Sequence, residues 1–296
     1  MTNSFVTALR GIDLGVPDLA AAVRFYTEIW NLSIVAQTED AAYLRGTGAA
    51  HHILSLHSAK QPEVRAVVFN VASAETLSTL AHTVPECGGR ILSGPKPVEG
   101  PGGGTELIVL DPQGRTLRLI HGDVRHTDIA PIKDRPVKIT HVVLNSKDVA
   151  AAQQFFERAL GFRLSDRTRI MAFMRCGTDH HSIALADASE NSLNHIAFVM
   201  PDLDSVMRGG GRMHDAGYPI EWGVGRHGPG NNAFAYFLGP FDFVIEYTAE
   251  VQQVDDTYKT GGPEDWKWPP GRIDQWGIGH PPSARMKVAQ KTIFFV

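Results

Sequence analysis

The apolar and polar positions of the chain alternate with two different periods, which predict strands and helices in a recurring order. Segment 67–84, VVFNVASAETLSTLAHTV, is typical of a buried strand followed by an amphipathic helix, and segment 196–217 has the same order. Segments 16–35 and 146–165 each begin with a short helix and continue as a strand. Glycine-rich turns and short strands follow the later helices. We therefore predict four β-α-β-β-β units, two in each half, and an α+β fold.

The two halves of the chain are similar in sequence, which indicates an internal duplication. Segment 16–35 aligns with segment 146–165 and places Asp18 on Asp148, 130 residues later. Each aspartate precedes an amphipathic run and is therefore predicted to cap the N-terminus of a helix. Segment 111–120, DPQGRTLRLI, aligns with GPFDFVIEYT at a shift of 128 residues. This nearly constant shift predicts a duplicated domain with few insertions between the copies.

Changes of composition along the chain divide it into four segments. Residues 121–138 are polar and contain two prolines, which is typical of an interdomain linker. The segment after residue 250 has no counterpart in the first half and holds three tryptophans, too many for a disordered end. The predicted division is a first domain at 1–122, a linker at 123–137, a second domain at 138–250 and a C-terminal extension at 251–296.

Composition and charge are those of an ordinary globular protein. The 296 residues are 43% apolar and 20% charged, with a formal net charge of −4. No basic excess favours nucleic-acid binding, and no apolar run approaches the roughly 18 residues that a membrane span needs. The N-terminus lacks the pattern of a signal peptide, and Cys87 and Cys176 lack the spacing of a zinc or redox site. We therefore expect a cytoplasmic protein without nucleic-acid or membrane partners.

A single carboxylate interrupts a strongly apolar strand of the second half. Segment 241–250, FDFVIEYTAE, is predicted to be a buried strand, in which Glu246 lies on the face opposite Phe243 and Tyr247. A solvated outer face is the ordinary explanation for such a residue. The aligned position in the first half is Arg118, so the fold does not require a carboxylate there. A functional role for Glu246 depends on what else the second half adds.

The second half also carries two histidines that are absent from the aligned positions of the first half. His141, predicted to open the strand HVVLN, aligns with Gly11, and His195, predicted to open HIAFVM, aligns with Ala66. Two histidines and one carboxylate on separate strands of one domain are the ligands of a facial triad, which is typical of non-haem Fe(II). Their joint presence in one copy favours a metal site over an outer-face position for Glu246.

With these residues the chain resembles the vicinal oxygen chelate superfamily, and within it the two-domain type I extradiol dioxygenases that act on catechols and 2,3-dihydroxybiphenyl. The resemblance implies that each domain is an open β-barrel-like sheet with outer helices, and that only the C-terminal domain binds metal. It implies that His141, His195 and Glu246 bind Fe(II), with Mn(II) as an alternative. It also implies a small aromatic diol and O2 as partners, ring cleavage beside the diol in aromatic hydrocarbon catabolism, and a homo-oligomer.

The same resemblance assigns further residues to the active site. The segment DHHSIALADASENSLNH carries the catalytic acid–base histidine at His181, and GRHGPGNNAFAYF supplies His227 and Tyr236. The C-terminal extension is implied to pack over the active site. Within it, Arg272 is a candidate to bind a substituent of the substrate, although a surface ion pair with Asp274 is the simpler expectation.

Strand geometry adds expectations of its own. His180 and His181 are adjacent in a predicted strand and should point to opposite faces, so we expect His180 at the surface. A hairpin centred on residue 241 makes Tyr236 the cross-strand partner of Glu246. His227 lies in a Gly/Pro loop, where an exposed histidine is usual.

Three alternative functions remain open at the level of sequence. A dioxygenase that cleaves hydroquinones shares the metal ligands and differs in its substrate. Metal-dependent isomerases and transferases of the glyoxalase and fosfomycin-resistance kind belong to the same superfamily, as do metal-free proteins that sequester drugs. A drug-binding protein is expected to have lost the ligand positions, as the first half has, whereas the second half keeps them.

Overall fold

The protein folds into two large β-sheets with helices on their outer sides, and the computed structural model describes residues 5–296. Residues 1–4 of the first predicted domain lie outside the described residues. The first half contains, in order, β1 (Val6–Val16), α1 (Leu19–Arg24) with a π-helical turn (Phe25–Ile29), β2 (Ser33–Gln37), β3 (Ala41–Arg45), β4 (Leu54–Ser58), β5 (Glu63–Val71), α2 (Ala74–Glu86), β6 (Arg90–Pro97), β7 (Thr105–Leu110) and β8 (Thr116–His121).

The second half repeats this order and then adds a C-terminal segment. It contains β9 (Lys138–Ser146), α3 (Val149–Leu160), β10 (Arg163–Arg167), β11 (Met171–Arg175), β12 (Ile183–Asp187), β13 (Ser192–Val199), α4 (Leu203–Asp215), β14 (Trp222–Arg226), β15 (Ala233–Leu238), a 3₁₀ turn (Pro240–Asp242), β16 (Val244–Ala249), α5 (Ala284–Ala289) and β17 (Ile293–Phe294). The four predicted β-α-β-β-β units are confirmed, and they begin at β1, β5, β9 and β13.

The two sheets have the same strand order. It is β2-β3-β4-β1-β5-β8-β7-β6 in the first half and β10-β11-β12-β9-β13-β16-β15-β14 in the second, where β17 also pairs with β13. Each sheet runs from one edge strand to another, so within residues 5–296 neither closes into a barrel, and the prediction of open sheets is confirmed. The exact domain limits stay a prediction.

Side-chain caps start the helices where the sequence predicts them. Asp18 accepts a hydrogen bond from the backbone amide of Ala21 at the start of α1, and Asp148 does the same for Ala151 at the start of α3, both at 2.9 Å. Each bond satisfies an amide that the helix itself leaves unpaired. None of the helices formed by residues 5–296 is long and apolar enough to cross a membrane.

Strand pairing supports the alignment of the two halves. In the second sheet Ala197 pairs with His141 of β9 on one side and with Glu246 of β16 on the other. In the first sheet Val68 has the equivalent position and pairs with Arg118 of β8. The tertiary structure therefore places Arg118 where the second half places Glu246, as the sequence shift predicts.

Several strand limits differ from the prediction. His141 and His195 lie inside β9 and β13 rather than at their first residues, because pairing between the two strands continues beyond the histidines. The predicted strand at 241–250 begins only at β16, because Phe241 and Asp242 turn the hairpin with φ of 59° and 64°. This left-handed conformation is incompatible with a strand.

The two halves share one hydrophobic core. Trp30 of the first half is fully buried and stacks on Tyr247 of the second half, with ring centroids 3.6 Å apart. The hydroxyl of Tyr247 donates a hydrogen bond to the carbonyl of Trp30 at 3.0 Å. This contact fixes the back of β16, the strand that carries Glu246 on its other face.

Helix α4 provides a test of how tightly the back of β16 is packed. A Cβ atom added at Gly209 would lie 2.7 Å from the ring of Tyr247, whereas one added at Gly211 would meet nothing within 4 Å. We expect Gly209→Ala to lower the free energy of unfolding by about 1–3 kcal/mol through overpacking. The matched control Gly211→Ala should raise it by roughly 0.5–1 kcal/mol, because alanine favours a helix over glycine. Urea unfolding of both variants measures the difference, and equal effects would contradict the packing argument.

Candidate active site

Three buried side chains of the second sheet bring potential metal ligands together. His141 lies on β9, His195 on β13 and Glu246 on β16, and one donor atom of each lies within 4.8 Å of the others. The Nε2 atoms of both histidines are 3.3 Å from Oε2 of Glu246. Two ligands bound at right angles to one ion, with bonds of about 2.1 Å, are separated by about 3 Å. The observed spacing therefore fits a single metal ion.

The charge states of these side chains suit a divalent cation. Burial alone would raise the pKa of Glu246, but the contacts with His141 and His195 hold it below its usual range, so the group is a carboxylate at neutral pH. Burial lowers the pKa of His195, so its imidazole is neutral. Neutral imidazole and carboxylate donors fit Fe(II), Mn(II) and Zn(II) rather than a soft monovalent ion.

A hydrogen-bond network orients one of the two histidines. Nδ1 of His195 lies 2.8 Å from Oδ1 of Asn194, which also accepts a bond from Gln290 at 2.9 Å. The amide oxygen can only accept, so His195 carries its proton on Nδ1 and leaves Nε2 as the ligand atom. Gln290 follows helix α5, so the C-terminal segment helps to orient this histidine.

Tyr236 and His227 stand beside the carboxylate. Tyr236 of β15 pairs directly with Glu246, which confirms the predicted register. Its hydroxyl lies 3.1 Å from Nε2 of His227 and 3.4 Å from Nε2 of His195. Burial raises the pKa of Tyr236 well above its usual range, and the carboxylate of Glu246 adds to the shift. The phenol therefore keeps its proton at neutral pH and is a hydrogen-bond donor.

His227 belongs to the site although it lies in a loop. Its ring stacks on Phe234 with centroids 4.0 Å apart, and its side chain is only 21% exposed. Burial lowers the pKa of His227. The usual expectation of an exposed loop histidine is therefore wrong here, because β14 and β15 bring the loop back against the site.

His181 lies against the metal ligands, and its neighbour His180 is buried too. The rings of His181 and His141 have centroids 4.2 Å apart. Burial lowers the pKa of His181 well below its usual range, with a further contribution from His141. The prediction of a surface His180 is wrong, because both residues precede β12 in a loop that has no strand alternation. His180 instead bonds to Asp166 at 2.6 Å and to His181 at 3.1 Å.

Asp166 was missed by the sequence analysis. It is fully buried on β10, where Tyr258 and the backbone amide of Gly261 also bond to its carboxylate. The internal repeat contains a signal that points to it. Asp166 pairs with Phe173 as Ala36 of the first half pairs with Tyr43, so Asp166 is another carboxylate that only the second half has.

A cavity of about 800 Å³ extends from the histidines to the C-terminal segment. Most of its wall is apolar, and six of the side chains that form it are Val143, Ile170, Phe173, Trp222, Trp266 and Trp268. Arg272 also lines the cavity. The expected ion pair between Arg272 and Asp274 is wrong, because Asp274 is buried and accepts hydrogen bonds from the backbone amides of Trp276 and Gly277.

Comparison with known proteins identifies the family. The family model described as the glyoxalase/bleomycin resistance protein/dioxygenase superfamily matches residues 8–119 and 138–247, one match in each half. The chain belongs to this superfamily. The resemblance inferred from the sequence is thus confirmed at the level of the superfamily and its two-domain form.

Relatives of this superfamily member include ring-cleaving dioxygenases. Metapyrocatechase 2 of Cupriavidus necator is 36% identical over 151 residues, which cover 48% of this chain and 45% of that protein. The iron-dependent extradiol dioxygenase of Rhodococcus jostii is 28% identical over 174 residues, covering 51% and 58%. The matches to these curated relatives therefore span about half of their length.

Solved structures of the superfamily share the whole fold. The Mn(II)-bound glyoxalase from Novosphingobium aromaticivorans superimposes with a TM-score of 0.86 at 34% identity, covering 95% of this chain and 96% of that one. Homoprotocatechuate 2,3-dioxygenase of Brevibacterium fuscum gives a TM-score of 0.86 at 22% identity, covering 98% and 94%. This second likeness shows the fold alone.

Within residues 5–296, only the second half of this superfamily member brings three potential metal ligands together. In the first half, the guanidinium of Arg118 lies 2.6 Å from Asp13 and 2.7 Å from Glu106. The guanidinium donates hydrogen bonds to both carboxylates, and nothing in that arrangement offers an open set of metal ligands. In the second half Glu246 faces two imidazoles instead of a guanidinium, so its charge remains available to a cation.

Proposed function

We propose that this protein is an Fe(II)-dependent extradiol dioxygenase that cleaves a catechol-type ring beside its diol with O2. One observation carries the proposal: His141, His195 and Glu246 form a buried facial set of donors at the end of a mainly apolar cavity. Such a set leaves adjacent coordination positions open for a substrate and O2. The named ring-cleaving relatives are consistent with it.

The residues around the donor set have the properties that this reaction needs. The chemistry that a divalent iron supplies when bound there is transfer of electron density between the aromatic diol and O2. His181 is neutral and buried, which suits a base that takes a proton from a diol hydroxyl and later returns one. Tyr236 keeps its proton and donates a hydrogen bond to an oxygen of the substrate, and His227 holds the phenol in place.

The size of the cavity supports a substrate larger than a single unsubstituted ring. Its volume of about 800 Å³ falls within the range of roughly 300–1,000 Å³ that encloses drug-sized ligands. The tryptophans of the C-terminal segment offer a flat apolar surface to a bulky substituent. We therefore propose an aromatic diol with a large apolar substituent, and that Arg272, which lines the cavity, contacts this substituent.

A glyoxalase-type metalloenzyme is the second candidate. The 34% identity to the Mn(II)-bound glyoxalase over nearly the whole chain favours it. The acid–base pair formed by His181 and Tyr236 beside two histidines and one carboxylate favours ring cleavage instead. Hydroquinones remain an alternative substrate class for the same donor set.

A substrate panel tests the proposed function. Protein loaded with Fe(II) without oxygen is mixed with catechol, an aryl-substituted catechol, a hydroquinone or a glyoxalase substrate, and air is then admitted. We expect a yellow ring-opened product from the catechols, one O2 consumed per ring, and a higher kcat/KM for the substituted catechol. Metal-free protein and Mn(II)-loaded protein are the controls for metal identity. Isomerisation of the glyoxalase substrate without cleavage of any diol would refute the proposal.

We also propose a cytoplasmic homo-oligomer. Cys87 and Cys176 are free thiols, and Cys176 is buried in the core, where burial raises its pKa to about 12. Such burial makes the Cys176 thiol unreactive, and free thiols are compatible with a reducing compartment. Light scattering of the purified protein measures the oligomeric state, and a monomer at micromolar concentration would contradict this part of the proposal.

A further inference from the structure

A chain of short hydrogen bonds connects a buried carboxylate to His181. Oδ2 of Asp166 lies 2.6 Å from Nε2 of His180, and Nδ1 of His180 lies 3.1 Å from Nδ1 of His181. Asp166 and His180 are fully buried, and His181 is 3% exposed. Water therefore cannot replace any of these bonds without opening the structure.

The donors and acceptors in this chain determine where the protons lie. The backbone amide of Gly261 donates to Oδ1 of Asp166 and the hydroxyl of Tyr258 donates to Oδ2, so both carboxylate oxygens are acceptors and Nε2 of His180 carries a proton. In a neutral His180, Nδ1 is then the acceptor, and the proton between the two rings belongs to Nδ1 of His181. Nε2 of His181 is left with its lone pair for a ligand in the cavity.

We propose that Asp166 and His180 are positioning residues that hold His181 in the tautomer with a free Nε2. This inference rests on the proposed function, because it explains how His181 is kept in the form that a base requires. Neither positioning residue has to touch the substrate. In serine proteases a carboxylate fixes the tautomer of the catalytic histidine, and loss of the correct tautomer costs about 10⁴-fold in kcat.

The first half of the chain contains a matched comparison. His51 and His52 are the counterparts of His180 and His181, and their Nδ1 atoms are 3.0 Å apart. The position of Asp166 is taken by Ala36, and Arg10 donates to Nδ1 of His52 at 3.2 Å. Arginine has only donors, so Nδ1 of His52 is an acceptor and a neutral ring carries its proton on Nε2. The same pair of histidines thus has the opposite tautomer where the carboxylate is missing.

The C-terminal segment contributes two donors to the relay, by which we mean the hydrogen-bonded chain of Asp166, His180 and His181. Tyr258 donates to Oδ2 of Asp166 at 3.1 Å, and Gly261 donates to Oδ1 at 2.8 Å. A Cβ atom at Gly261 would lie 2.8 Å from Oδ1, so a glycine is needed for this close approach. Residues of the same segment line the cavity, so one segment both forms part of the cavity wall and bonds to the carboxylate.

An isosteric substitution tests the relay. In Asp166→Asn the amide oxygen retains the bond from Gly261, and the amide nitrogen donates to His180. His180 then donates from Nδ1 to His181, and the proton of His181 moves to Nε2. We expect kcat to fall at least about 100-fold, with metal content and KM changed less than about threefold. Nitrogen NMR of histidine-labelled, Zn(II)-loaded protein should report the lone pair of His181 on Nε2 in the wild type and on Nδ1 in the variant.

Two further variants separate the relay from a structural role. Asp179→Asn changes the neighbouring carboxylate, which bonds to Lys138 and Thr140 rather than to a histidine, so kcat should stay within about threefold of the wild type. In an H181A background, D166N should cause no further loss, because the relay acts only through His181. Additive losses, or an unchanged kcat per metal-loaded protomer in D166N, would overturn the proposal.

The NMR measurement tests the tautomer of His181 independently of whether the protein cleaves aromatic diols. A lone pair on Nε2 of His181 in the wild type supports the relay even if no aromatic diol is cleaved, in which case only the dioxygenase assignment fails. A proton on Nε2 in the wild type overturns the relay even if catechols are cleaved. This measurement does not need D166N to fold.

Discussion

Glu246→Gln is expected to remove most of the bound metal and, with it, the ring-cleaving activity. Glu246 is fully buried and is the one carboxylate among the three donors, so the amide leaves a divalent ion with two neutral imidazoles and no charge compensation. Loss of a residue that only supports a ligand costs about 10- to 100-fold in metal affinity, and loss of a ligand should cost more than about 100-fold. Metal content after gel filtration and O2 uptake with a catechol measure both effects.

The first half provides the control for this substitution. Glu106 is also a buried carboxylate on a strand that is paired on both sides, but it pairs with Arg118 rather than with histidines. Glu106→Gln should leave the metal content unchanged, although it also replaces a buried carboxylate that bonds to its neighbours. Because Arg118 stands at the position equivalent to Glu246, the strand accepts other side chains, and Glu246→Gln should retain its circular dichroism spectrum. Wild-type metal content in a folded Glu246→Gln protein would contradict the assignment of the site.

His181→Ala is expected to slow turnover by roughly 100- to 10,000-fold while metal and substrate still bind, as is typical when an acid–base group is lost. His181 is buried against His141 and lines the cavity, but its Nδ1 is bonded to His180. It therefore reaches a ligand in the cavity without belonging to the donor set. Single-turnover kinetics with a catechol, together with metal content and KM, separate the loss of catalysis from a loss of binding.

His52→Ala is the matched control for that experiment. His52 has the corresponding place in the first half, is buried as well, and pairs with His51 in the same way. Its removal should cost stability but leave kcat per metal-loaded protomer unchanged. If His181→Ala instead lost its metal, or if both variants lowered kcat equally, His181 would have no specific role in acid–base catalysis.

Much of this structure could be predicted because the chain contains two copies of one domain. The aspartate caps at Asp18 and Asp148, the four β-α-β-β-β units and the pairing of Tyr236 with Glu246 follow from local periodicity and from hairpin symmetry. The repeat also allowed each position to be compared with an equivalent one that has no such function. Glu246 aligns with Arg118 of the first copy, and this difference indicated a functional role for Glu246 from this one sequence alone.

The parts that could not be predicted depend on loops and on contacts between distant segments. His180 was expected at the surface from strand alternation, but a loop has no fixed alternation, and its backbone follows the packing around it. The limits of β9 and β13 likewise depend on how far two strands separated in sequence continue to pair.

The sequence by itself determined the duplicated α+β fold and which half carries two histidines and a glutamate, since these follow from side-chain type and period along the chain. Only the tertiary structure decided that Asp166 meets His180, and that the C-terminal segment reaches the same carboxylate through Tyr258, 92 residues further along the chain. The physical reason is that a buried polar group must find a partner wherever the packed chain supplies one. That choice depends on the whole fold and leaves no periodic pattern in the sequence.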